Sequence, residues 1–72
     1  MKFIKTKTEL ISLENVMRVL KIENGTGAKS NPFTYSIRID YFNSDNCCFI
    51  RFEQDQAERD DAFEEIADIL SN

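Results

Sequence analysis

The sequence predicts an α+β domain: a small, mostly antiparallel four-stranded sheet followed by one C-terminal amphipathic helix, β-β-β-β-α. Three observations carry that prediction. Apolar residues alternate with period two over residues 33–42 and 47–53, turn-forming residues separate those stretches, and apolar residues recur at helical spacing from residue 62 to residue 70. With 72 residues, 42% of them hydrophobic and 31% charged, the composition is that of an ordinary globular chain rather than a disordered one. A chain of this size buries only about 60% of its unfolded surface. Residues 1–72 are therefore read as a single domain around one core, without room for a deep enzyme cleft.

The first strand is expected within residues 2–8, where Phe3, Ile4, Thr6 and Thr8 favour extended backbone. Residues 10–23 fit two periods. Leu10, Leu13, Met17 and Leu20 fall at helical spacing with Asn24-Gly25 as a stop, which would give the alternative order β-α-β-β-α. Against that, Val16, Val19 and Ile22 are β-branched, and Val16, Arg18, Leu20 and Ile22 share one strand face. The β-branched content favours a strand over residues 16–23, entered through a tight turn at Ser12-Leu13-Glu14-Asn15. Residues 24–32 hold both glycines and the single proline and read as a flexible loop.

The next two strands form a hairpin around Asn43-Ser44-Asp45-Asn46. Placing Asn43 opposite Asn46 sets Phe42 against Cys47, Tyr41 against Cys48, Ile39 against Ile50 and Ile37 against Phe52. Every pairing keeps the apolar side chains on one face, which a one-residue slip would destroy. The helix is expected over residues 55–70. Asp55 and Glu58 make a capping-box-like start, and Ala62, Phe63, Ile66, Ile69 and Leu70 form one stripe opposite Asp60, Asp61, Glu64, Glu65 and Asp68.

Charge is unevenly spread. Residues 54–72 carry seven acids against Arg59, net −6, whereas residues 1–53 carry net +2. The acidic helix face is expected to meet solvent; Asp61, Glu65 and Asp68 share a side at i, i+4 and i+7, a spacing that at most holds a divalent cation weakly. The longest apolar run, Cys47 to Ile50, is far short of the roughly 20 residues of a membrane-spanning helix. The lysines at positions 2 and 5 interrupt any signal-peptide pattern. A cytoplasmic location is expected. Cys47 and Cys48 are sequence neighbours that point to opposite faces of a strand, so they cannot pair with each other and read as free thiols.

Motifs of chemistry are weak. The run Gly25-Thr26-Gly27-Ala28-Lys29-Ser30 lacks the spacing and the following helix of a phosphate loop. The chain has no histidine, the usual general base near neutral pH, and no serine elbow. No cofactor and no metal site are expected, and the chain is read as non-enzymatic. No motif identifies a family; the element order is similar in topology to small sheet-plus-helix single-strand binders and to the end of a pleckstrin-homology-like domain, a likeness that implies no function by itself.

What remains is a surface. If the helix covers Ile37, Ile39, Ile50 and Phe52, the other side of the sheet exposes Phe42, Cys47 and Phe49 at one end of the hairpin, beside Arg38 and Arg51. A small protein seldom leaves such a patch bare unless something docks there, unless Phe3 and Ile4 fold over it. The leading reading is a protein–protein interaction or regulatory module, with an unidentified protein partner or a symmetric homodimer. The alternative is a single-stranded nucleic-acid binder stacking bases on the same face. Nucleic acid is disfavoured because the expected register sets Arg38 opposite Arg51 with Asp40 and Glu53 diagonal to them, a self-neutralising set.

Overall fold

A computed structural model describes residues 2–72. Its elements are β1 (Phe3–Lys5), β2 (Leu10–Ser12), β3 (Val16–Asn24), β4 (Thr34–Tyr41), β5 (Cys47–Arg51) and α1 (Gln56–Ser71). The class is α+β with antiparallel pairing, but the expected single four-stranded sheet is replaced by two sheets: β1-β2 and β3-β4-β5.

The difference starts at Thr6. Its backbone N–H donates to the Glu9 carbonyl at 2.8 Å, and its hydroxyl accepts from the Glu9 N–H at 3.0 Å. A side chain that closes its own turn breaks the strand expected over residues 2–8 into a hairpin. Ile4 then lies opposite Ile11, and both are buried. The turn anticipated at residues 12–15 narrows to its last two residues, where Asn15 adopts a left-handed φ of 60°; Leu13 is buried in the core.

Residues 16–24 form a strand, which eliminates the β-α-β-β-α alternative. The β3 face nevertheless differs from expectation. The register shifts between Val16 and Arg18, so Met17 is an extra residue on β3, a β-bulge. Val16 therefore turns to the core side with Val19, while Arg18, Leu20 and Ile22 stay on the other face.

The β4–β5 hairpin is present with its faces as expected but with its register two residues off. Ile37 pairs with Ile50, Ile39 with Cys48, Arg38 with Phe49 and Asp40 with Cys47. Phe42, whose N–H donates to the Asn15 carbonyl at 2.9 Å, lies beyond the last β4–β5 pair, in the connection over residues 42–46. A two-residue slip preserves the inward set because side chains alternate with period two. Between β3 and β4, residues 24–32 are held more closely than a free loop. The Asn31 carbonyl accepts from Thr26 and Gly27, and Gly25 and Gly27 both have positive φ. At Gly25 a Cβ would lie 2.3 Å from the Pro32 carbonyl oxygen, so the close approach requires glycine.

The core joins Ile4, Ile11 and Leu13 of the N-terminal hairpin and its exit to Ile37, Ile39 and Ile50 of the larger sheet and Ile66 of α1. The helix packs on β4 and β1. It begins where expected: the Asp55 side chain accepts from the Glu58 N–H at 2.9 Å, capping the first turn. Phe63, Ala62, Ile69 and Leu70 pack partly buried around Ile66. Among the described residues, no helix is long and apolar enough to cross a membrane.

Candidate functional site: the uncovered sheet face

Helix α1 and the β1-β2 hairpin both lie on the Ile37–Ile39 side of the larger sheet. Tyr41 ties the hairpin there by donating its hydroxyl proton to the Ser12 carbonyl at 2.8 Å. The opposite face carries Arg18, Leu20 and Ile22 from β3, Ser36, Arg38 and Asp40 from β4, and Cys47, Phe49 and Arg51 from β5. The N-terminal residues do not fold over it: Ile4 enters the core instead.

Asp40 organises this face. Its carboxylate accepts from Arg18 Nε through one oxygen and from Arg38 Nε, at 2.9 Å, through the other. The two arginines cover it so fully that Asp40 is 7% exposed although no other element lies above it. The hydrogen bonds from Arg18 and then Arg38 hold its carboxyl below the ordinary range, and the same bond raises Arg38. Arg38 also lies over the Phe49 ring, 6.0 Å from its centroid. The sheet thus presents an arginine fork fixed by a central carboxylate, with an aromatic ring beside it.

The expected site residues are brought together only in part. Arg38, Phe49, Cys47 and Arg51 occupy one face, but Arg51 is opposite Ser36 and not Arg38, so the expected self-neutralising cross does not form. Among the described residues, Arg51 has no ion pair within 4.0 Å. Phe42 is not paired with Cys47; it lies in the connection, 67% exposed, while Phe49 is 44% exposed in mid-strand. Cys47 is an exposed free thiol opposite Asp40. Cys48 points inward, where burial, followed by the charge of Glu9, pushes its thiol above the usual value.

Two side chains outside the expected site set matter here: Arg18, which lies opposite Asp40 in the regular β3–β4 register, and Arg59, counted above only in the net charge of residues 54–72. Arg59 is 5% exposed; it donates to the Ile22 carbonyl at 3.0 Å and to Asp60 at 2.7 Å, and stacks 5.0 Å over Tyr35. Lys21 is 3.5 Å from the same Asp60. Asp60 is thereby drawn out of the solvated acidic face and used to hold α1 to β3. Among the described residues, no three His, Cys, Asp or Glu side chains gather as a metal-holding group.

No family model, no curated protein and no solved structure matches this chain.

Proposed function

We propose that the chain is a non-enzymatic protein–protein interaction module that docks through the uncovered face of the β3-β4-β5 sheet, with self-association as a symmetric homodimer the simplest form. The supporting observation is the exposed Phe49 ring braced by Arg38 on a face that neither the helix nor the N-terminal hairpin covers. An aromatic ring beside a positioned arginine is the residue pairing favoured at the centre of protein interfaces. The free thiols of Cys47 and Cys48 suit a reducing compartment, and the reading includes a cytoplasmic location. The experiment is a solution-mass measurement on the wild-type chain and Phe49→Glu. Wild-type protein should run as a dimer and Phe49→Glu as a folded monomer.

A second reading, single-stranded nucleic-acid binding, is supported by one observation. In the observed register the face holds Arg18 and Arg38 on a single covered Asp40, with Phe49 and then Arg51 further along β5. A labelled single-stranded oligonucleotide, titrated at low salt, separates the two. The interaction-module reading expects no binding; micromolar binding that weakens steeply with salt would put the second reading first.

A further inference from the structure

Strand β5 is an edge strand, and its phase on β4 can be read from the hydrogen bonds that continue past it. Phe52 N–H donates to the Tyr35 carbonyl at 2.9 Å, and Tyr35 N–H donates to the Glu53 carbonyl at 2.7 Å. Hydrogen-bonded and non-bonded pairs alternate along an antiparallel ladder. Ile37 and Ile50, and Ile39 and Cys48, therefore exchange backbone bonds, and the N–H and C=O groups of Cys47, Phe49 and Arg51 point away from β4. Among the described residues, no backbone hydrogen bond outside the ladders reaches those three.

That open edge borders a groove of about 760 Å³ between β5, the β1–β2 turn and α1. Ile4, Ile50 and Ala62 give it an apolar lining, and Glu58, Asp61 and Glu65 line its helix wall. Counting Glu9 and Glu53, five carboxylates face the three cations Lys5, Lys7 and Arg51. One of those cations, Lys7, is already drawn 4.0 Å from Glu58 in an exposed pair. The groove is thus acidic on the helix side and offers unpaired backbone groups along the strand.

We infer that this groove receives an extended segment of a partner protein, which adds to the β5 edge as another strand and alternates basic with apolar side chains. Adding a strand satisfies the idle backbone groups of Phe49 and Arg51 and ends the exposure of an open edge. Period two sets the rest. Side chains on the helix side of the added strand meet Asp61 and Glu65, which selects lysine or arginine with the aliphatic stem laid over Ala62. Side chains on the other side extend the uncovered face beside Phe49, which selects apolar groups. The inference rests on reading the chain as an interaction module and names the chemistry of its partner.

The test uses the full chain and a fluorescein-labelled heptapeptide of alternating lysine and valine. Anisotropy should show saturable binding, and hydrogen exchange should show new protection at the Phe49 and Arg51 amides. The same peptide N-methylated at alternate residues should lose binding, and Asp61→Lys/Glu65→Lys should weaken it by about tenfold or more, the equivalent of about 1.4 kcal/mol. Absence of binding, equal binding of the N-methylated peptide, or binding without protection at Phe49 and Arg51 would each overturn the strand-addition inference. The mass of Phe49→Glu reports separately on the uncovered face. Failure of the peptide with a dissociated Phe49→Glu variant would remove the groove and leave the interaction module standing.

Discussion

Asp40 shows how a residue on an outer sheet face becomes buried: Arg18 and Arg38, not another element, cover it. Both bonds favour the charged carboxylate, so its native pKa lies below the ordinary 3.8. A group with a lowered folded-state pKa stabilises the fold fully above its unfolded value, and that contribution drains away as pH falls through the native value. Asp40→Asn should therefore be less stable than wild type at neutral pH, and the gap should close below the ordinary carboxylate range. Thermal melts of both proteins across pH 7 to about pH 2 check this. A gap that stayed constant with pH would show that the arginine fork contributes nothing specific to the ionised form. Asp60 is lowered in the same direction, chiefly by its hydrogen bond from Arg59, and leaves the variant a residual acid slope. Neither carboxylate pairing was legible in the sequence. Arg18 meets Asp40 through the β3–β4 register, which alternation within one strand does not give, and Arg59 sits in an acidic run that masks its burial.

At the scale of elements, legibility followed the strength of the period. Residues 56–71 combine a capping Asp55 with a clean apolar stripe, and β4 and β5 alternate over their full lengths. These three were readable because helix and strand patterns make opposite demands on the same residues. The β4–β5 register was not, since a two-residue slip leaves every inward side chain inward. The N-terminal hairpin was missed because β1 and β2 have three residues each, too short to display a period. Packing exposes the difference. Ile4 is 2% exposed and its neighbour Phe3 is 41% exposed. Ile4→Ala should cost about 2–5 kcal/mol and Phe3→Ala distinctly less. Urea denaturation of the two variants measures it, and equal losses would contradict a hairpin docked through Ile4. Such a loss is large beside the roughly 5–15 kcal/mol that holds a domain folded.

At the scale of the molecule, charge and apolar surface are sorted by side. The helix brings net −6 with its flanking residues, whereas the far face of the sheet carries Arg18 and Arg38 on Asp40, and Arg51 beyond Phe49. The core lies between, closed on one side by α1 and the β1-β2 hairpin, and the three-stranded sheet keeps its other side open. The candidate face itself was legible from alternation alone: Arg38, Cys47, Phe49 and Arg51 all lie on it. Its electrostatics were not, because a register in error by two residues reassigns every cross-strand neighbour. The proposed function depends on that open side being an interface. Sedimentation equilibrium of wild type and Phe49→Glu, paired with circular dichroism of each, tests it most directly. An interface on that side predicts a dimer of the 8.4 kDa chain for wild type and a monomer with an unchanged spectrum for Phe49→Glu. A monomeric wild type whose Phe49→Glu variant unfolds would make Phe49 a residue of the fold and contradict the docking face.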